Sequence, residues 1–334
     1  MSTITISSPP NARVRDGLRT YTWRGQELPS VTSVQKMAGL PHGLHQWALS
    51  RVVDRATSEH DTLTAMLTRE RKPRERVLEA NRITEAGRWL RAAATEERDM
   101  AAAIGSTVHD MVSEGVDPAT IPDVLDTLKD GKPVTVDGAA VRNRVVQFLD
   151  WLETSRAEVL ASEFQVFNLT AGYGGQADLL VSFPSGRVAL IDLKTGTSVH
   201  AEHAVQLRAY REGEFVGRDD VVDEVLTALL HSATDLGVLH LAEDHWEYLA
   251  LRDDPVSGEA FRGLLTFATW MAEHGDVETC VTARRTNRRC PVCSEPLEAQ
   301  DVVLRPMGGA TVNGRLPKIA THRGCTPGEQ QAAA

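Results

Sequence analysis

Cysteine, lysine and aromatic residues are all scarce in this chain, and it has no long apolar run. Its four cysteines, Cys280, Cys290, Cys293 and Cys325, all fall in the last sixth of 334 residues. A disulfide-stapled scaffold is thereby excluded for everything before Cys280, and clustered thiols point to metal ligation ahead of oxidation. No apolar run approaches the roughly 20 residues that a membrane-crossing helix needs. The N-terminal sequence MSTITISSPPNARVRDG lacks the charged-then-apolar order of a secretory signal, so the expected compartment is the cytoplasm. Only six of the 36 basic residues are lysine, and the formal net charge of −10 argues against a surface coated with nucleic acid.

What is present is ordinary in bulk and uneven in detail. With 42% apolar and 25% charged residues, the chain has the composition of a globular protein. Its length suits one large domain with an appendage, or two domains. Residues 69–91 and 284–334 each hold eight basic and four acidic residues, against the acidic trend. Each stretch reads equally as a solvated face or as a phosphate contact.

Residues 20–35 alternate around turn residues, as a small hairpin would. From Leu44 to about Met111 the pattern is helical, with Pro73 as a break. Gly105-Ser106-Thr107 predicts a second break, with Ser106 or Thr107 capping a new helix that carries His109 early on. Residues 115–138, with Pro118, Pro122 and Pro133, read as a loop with at most a short helix. Helical spacing of Val141, Val145, Phe148, Leu149 and Leu152 follows. The period then changes. EFQVFNL, GQADLLVSF and RVALIDL read as strands, EHAVQLRAYREGEF as a helix, and EVLTALLHS, LGVLHLA and WEYLAL as further strands. A helix from about Pro255 to His274 closes this part.

One strand carries an anomaly. ALIDLKTG places Asp192 and Lys194 two apart at the end of an apolar run, so both point to one face. An acid two residues before a lysine also occurs at Glu70/Lys72 and Asp130/Lys132, but neither follows a strand-like run. A hairpin of the second and third strands would bring Asp178 close to Asp192. Two nearby carboxylates are costly to bury unless a cation sits between them. Mg²⁺ prefers such oxygen ligands, and a cation-activated water beside a lysine suits phosphodiester hydrolysis. Gln206 and Tyr210, four apart, share a face of the next helix. Each residue alone has a plainer reading: a packing or capping His109, a turn residue at Asp178, a strand-end ion pair at Asp192–Lys194, an exposed helix pair at Gln206 and Tyr210.

Taken together, GSTVH, GGQAD, IDLKTG and QLRAY resemble the RecB-like branch of the PD-(D/E)XK nuclease superfamily, over roughly residues 100–250. The N-terminal LPSVTSVQKMAGLPHGLHQWAL is similar to phage-encoded nucleases of this type. The resemblance implies an α/β, restriction-endonuclease-like core with a mixed central sheet flanked by helices. It implies Mg²⁺ or Mn²⁺ held by Asp178, Asp192, the Leu193 carbonyl and His109. Lys194 would position or activate the attacking water, and Gln206 and Tyr210 would support the site and contact nucleic acid. Glu163 matches a further acid. The implied activity is a DNA exonuclease of phage or bacterial recombination or repair, acting on single- or double-stranded DNA with a recombinase or helicase as partner. It would work in the cytoplasm of a bacterial host if phage-encoded. The alternatives are an endonuclease of the same fold and a non-catalytic nucleic-acid-binding module.

The tail is a separate signal. Cys290 and Cys293 form C-x2-C, and His322 and Cys325 form H-x2-C, across 28 residues. Three thiolates and an imidazole suit a closed, structural zinc site; buried thiols without metal are the plainer reading. Some relatives hold an iron–sulfur cluster with one cysteine upstream of the core, but none precedes the core here, so zinc is favoured. Cys280 reads as a plain buried thiol. Arg284, Arg285, Arg288 and Arg289 beside the knuckle are candidate phosphate contacts. The expected organisation is an N-terminal hairpin and helical region over 1–100, a nuclease core over 101–283, a zinc module over 284–328 and a frayed end over 329–334.

Overall fold

The computed structural model describes residues 11–15, 18–37, 42–70, 84–129, 132–252, 254–275, 289–295, 302–306 and 318–325. The chain divides into two compact units. One comprises Met1–Leu67 with Glu85–Thr269, the other Thr68–Thr84 with Trp270–Ala334.

The first unit begins with β1 (Ala12–Arg15), β2 (Leu18–Trp23) and β3 (Gln26–Pro29), a three-stranded antiparallel sheet. Helices α1 (Val31–Met37), α2 (His42–Ser58), α3 (His60–Glu70) and α4 (Glu85–Glu114) follow. A hairpin of β4 (Val124–Lys129) and β5 (Lys132–Asp137) leads into α5 (Gly138–Ser155). Then come β6 (Glu158–Asn168), β7 (Tyr173–Ser182), β8 (Val188–Lys194), α6 (Glu202–Arg211), β9 (Phe215–Arg218), β10 (Val221–Val222), α7 (Glu224–His231), β11 (Asp235–Leu241), β12 (Trp246–Leu251) and α8 (Pro255–His274).

Seven of these strands form one sheet in the order β10-β9-β6-β7-β8-β11-β12. Only β8 and β11 pair in parallel; every other pairing is antiparallel. The central strands are apolar because both faces are covered. On one face Leu180, Leu190 and Val238 pack with Val31 and Val34 of α1, Leu207 of α6, Leu230 of α7 and Phe261 of α8. On the other, Leu179, Val181, Ala189, Ile191 and Leu193 pack with Val108 and Met111 of α4 and Val145, Phe148 and Trp151 of α5. Each such fully buried valine, leucine, isoleucine, phenylalanine or methionine contributes about 1.5–3 kcal/mol. Alternation along β8 puts Asp192 on the same face as Leu190, toward α6. The N-terminal sheet docks through Tyr21, Trp23 and Leu28 on Phe167 of β6. The Trp23 and Phe167 ring centroids lie 4.7 Å apart.

The sheet and its flanking helices have the expected α/β architecture, but three local expectations fail. The helix does not break at Gly105; α4 is continuous from Glu85 to Glu114. The Ser106 and Thr107 hydroxyls donate back to the carbonyls of Ala102 and Ala103, at 3.0 and 2.8 Å, so they do not cap a new helix. The glycine serves close approach instead, since a Cβ there would meet Thr195 Oγ1 at 2.9 Å.

Residues 115–138 are not mainly loop. Alternating Leu125, Thr127, Val134 and Val136 form the β4–β5 hairpin, and the Asp130-Gly131 pair between the strands is its sequence signal. Pro133 is tolerated because a two-stranded ribbon has a free outer edge. EVLTALLHS is a helix, not a strand. Asp223 Oδ1 accepts from the N–H of Leu226 at 2.8 Å, capping α7, and Leu226, Leu229 and Leu230 face the core at helical spacing.

The second unit includes β13 (Val302–Pro306) and β14 (Lys318–His322), paired antiparallel with Val302 opposite His322. Among the described residues, no helix is long and apolar enough to cross a membrane.

Candidate active site

The β7–β8 hairpin delivers the two acids as expected. Leu179 pairs with Ile191, so Asp178 and Asp192 are the next residues outward on adjacent strands. Asp178 Oδ2 accepts from the N–H of Leu193 at 2.8 Å, which ties it to β8. Asp192 is almost fully buried, at 1% exposure; its Oδ1 takes the hydrogen bonds, and its Oδ2 has no hydrogen-bond partner and faces only the Lys194 charge. Lys194 Nζ lies 2.8 Å from Oδ1 and 2.7 Å from Oδ2. Gln206 Nε2 donates to Oδ1 at 2.7 Å. The strand-end ion pair is therefore present, with Gln206 from α6 fixing it from the side.

Asp178 faces a different set. His109, Glu163 and Asp178 each offer a ligand atom, and these atoms lie within 4.8 Å of one another. His109 Nδ1 is 2.9 Å from Glu163 Oε1 and 3.8 Å from Asp178 Oδ1, and its Nε2 is 3.0 Å from the Leu193 carbonyl. Burial works against a charged His109, but Asp178 and Glu163 outweigh it and raise its pKa to about 9. As an imidazolium it donates to both Glu163 and Leu193. Its charge stands where a metal cation would balance the same acids. Two carboxylates and an imidazole are a donor set for a divalent cation, and the clustering of the acids gives a cation a reason to bind there.

Glu163 is central to this set although its sequence context says little. Its φ of 49° lies in the left-handed region, which costs a non-glycine residue about 1 kcal/mol or more. The kink aims its carboxylate at His109, while Gln176 Nε2 donates to its other oxygen. No spacing rule marks it, and the family resemblance is its only sequence signal.

Gln206 and Tyr210 are both buried and face the sheet, which removes the reading of an exposed helix pair. A Cβ on Gly175 would collide with the Tyr210 ring, so a glycine of GGQAD is what admits this tyrosine. Burial pushes the Tyr210 phenol well above its usual range, so it stays protonated. Burial opposes the charge on Lys194, but Asp192 and Asp178 overcome it and the pKa is raised. These groups line a cleft of about 500 Å³, together with Arg19, Tyr21, Thr32, Asp110, Ser106 and Thr195.

In the second unit Cys290, Cys293, His322 and Cys325 gather their ligand atoms within 4.8 Å of one another. Cys293 Sγ lies 3.2 Å from His322 Nδ1. Burial opposes a Cys290 thiolate, but backbone N–H groups of Cys293, His322 and Val292 bring its pKa down to about 6. Cys325 is pushed up to about 11, chiefly by Cys293. Arg289 donates to the Ser294 carbonyl at 2.8 Å, bracing the knuckle. Arg284, Arg285, Arg288 and Cys280 lie outside the described residues.

Residues 84–213 match the family model of the PD-(D/E)XK nuclease superfamily. Over those residues the chain is similar to that superfamily. Eighteen chains of solved structures match. One is a crystal structure of SSO0001, at 17% identity and a TM-score of 0.26, over 40% of this chain and 61% of that one. The chain thus spans about three fifths of that structure's length. No curated protein matches.

The raised pKa of His109 predicts a pH dependence in the metal-free protein. Because the folded pKa of about 9 exceeds the ordinary 6.5, its stabilisation is complete below about pH 6.5 and is lost as pH rises through 9. In chelator, His109→Gln is expected to lose on the order of 2–3 kcal/mol at pH 6 and far less at pH 10, read by urea denaturation. A deficit that stays constant across this range would contradict the charged pairing.

Proposed function

We propose that the chain is a Mg²⁺- or Mn²⁺-dependent deoxyribonuclease, acting as an exonuclease on single- or double-stranded DNA in phage or bacterial recombination or repair. The reading is carried by one observation: the His109–Glu163–Asp178 cluster and the Lys194–Asp192–Gln206 network meet at the end of β8, in a single cleft. The exonuclease role rests on the sequence resemblance. A helicase or recombinase that supplies DNA ends is the partner such a role calls for, and the bacterial cytoplasm is its setting.

His109, Glu163 and Asp178 would hold the cation, with Asp192 and the Leu193 carbonyl as further oxygen ligands. A divalent cation supplies Lewis acidity and offsets charge developing on the phosphoryl oxygens. Lys194 is charged, so it suits orienting a water and stabilising negative charge better than accepting a proton. Gln206 holds Asp192, and through it the Lys194 ammonium. The protonated Tyr210 presents a phenol at the cleft wall.

The test uses end-labelled linear DNA, single- and double-stranded, beside closed circles, with Mg²⁺, Mn²⁺ or chelator. Cutting is expected only with metal, only on linear DNA, and about 100-fold or more slower in Lys194→Ala. Cut circles would make the enzyme an endonuclease. Binding without cutting under every metal would overturn catalysis and leave a nucleic-acid-binding module.

We further propose that Cys290, Cys293, His322 and Cys325 hold a structural zinc ion. The four ligands make a closed set with no open position for chemistry. Metal analysis is expected to give one zinc per chain, lost in Cys290→Ser. Iron with sulfide in place of zinc would sink the assignment.

A further inference from the structure

The cleft holds a cation that neither the metal cluster nor the Asp192 network uses. Arg19, on β2, lines it together with Glu163, Asp178 and Lys194. Arg19 lies outside the stretch that matches the nuclease family, residues 84–213. Among the described residues, no carboxylate stands within ion-pair distance of its guanidinium, although Glu163 and Asp178 share the same cleft.

Its placement is not accidental packing. The Arg19 backbone is clamped on both sides by the segment that opens α1. The Arg19 N–H donates to Ser33 Oγ at 2.6 Å. The Arg19 carbonyl accepts from Ser33 Oγ at 2.9 Å and from the Ser30 N–H at 3.0 Å. Ser30 and Ser33 are each 2% exposed, and Ser30 Oγ donates to Ser33 Oγ at 2.8 Å. Four hydrogen bonds thus fix where the side chain leaves β2. The side chain reaches the buried Tyr21 phenol, whose hydroxyl feels both Arg19 and the acids Glu163 and Asp178. Arginine and acids therefore stand near one hydroxyl without pairing with each other. The hydroxyl-bearing residues Thr32, Ser106 and Thr195 line the same cleft.

A guanidinium stays charged at any relevant pH, and its planar fork matches two oxygens of a phosphate. An arginine near carboxylates that does not pair with them leaves its donors for an anion. We propose that Arg19 is a phosphate-binding residue, holding a backbone phosphodiester next to the one being cut. The proposal rests on the nuclease reading. It makes the N-terminal sheet part of the substrate site.

The experiment measures binding of a labelled single-stranded oligonucleotide in Ca²⁺ from about 50 to 200 mM salt, and initial cleavage rates in Mn²⁺. The proteins are the wild type, Arg19→Ala, Arg19→Lys and Arg252→Ala, the last an exposed arginine just after the edge strand β12. Arg19→Ala is expected to weaken binding about tenfold and to lower the salt slope by about 1, with KM raised and kcat within about twofold. Arg19→Lys should recover most of the slope and part of the affinity, and Arg252→Ala should behave as wild type. Unchanged affinity and slope in Arg19→Ala would overturn the proposal. So would a kcat loss that tracks a lowered melting temperature in Arg19→Ala and Arg19→Lys alike, which would mark a structural residue. A wild type that neither binds nor cuts would refute the nuclease reading itself, a result distinct from either.

Discussion

The crowding of carboxylates at the end of β8 is the constraint on which the rest of this site depends. Glu163, Asp178 and Asp192 come from three adjacent strands and converge where the protein excludes much of the water. Like charges so placed are tolerated only with compensating positive charge. Asp192 has its compensation built in as the Lys194 ammonium, with the Gln206 amide donating a hydrogen bond beside it. Glu163 and Asp178 instead draw a proton onto His109, raising its pKa to about 9. One of the three acids is thus balanced by the chain's own lysine. The other two are balanced by a proton on His109 that a divalent cation could replace.

The fold exists to hold that arrangement still. Both faces of the seven-stranded sheet are packed, so the strand ends cannot shift without disturbing Leu190, Ile191 and Leu193. Gly105 lets α4 approach the segment after β8 closely enough for His109 to reach the Leu193 carbonyl. Gly175 leaves room for Tyr210, and α6 carries Gln206 and Tyr210 one turn apart on its inner face. The N-terminal sheet adds Arg19 from the opposite end of the sequence. Four separate stretches of chain meet at one cleft, and each is held by packing independent of the chemistry.

Much of this was legible because strands and helices have fixed periods. The two-residue spacing of Asp192 and Lys194 and the four-residue spacing of Gln206 and Tyr210 translate directly into shared faces. The β7–β8 pairing is legible as two adjacent apolar runs joined by a short turn, although with both faces buried no alternation encodes their register. Other features depend on contacts that no local rule encodes. Glu163 reaches the site through a left-handed backbone kink, and Arg19 through docking of a distant sheet. EVLTALLHS is apolar enough for a strand, and the decisive signal for α7 was the cap at Asp223 just before it. Gly105 reads as a breaker when only its own conformation is weighed, yet its role is clearance for Thr195.

The central claim is that the His109–Glu163–Asp178 cluster is a divalent-cation site. Mn²⁺ binding to the metal-free protein, followed by calorimetry in the absence of nucleic acid, tests it most directly. Wild type should bind Mn²⁺ with release of protons, and Asp178→Asn should lose that binding while keeping its fold. Mn²⁺ binding that is unaltered in Asp178→Asn, or absent from the wild type, would contradict the account and return the cluster to a structural His–carboxylate network.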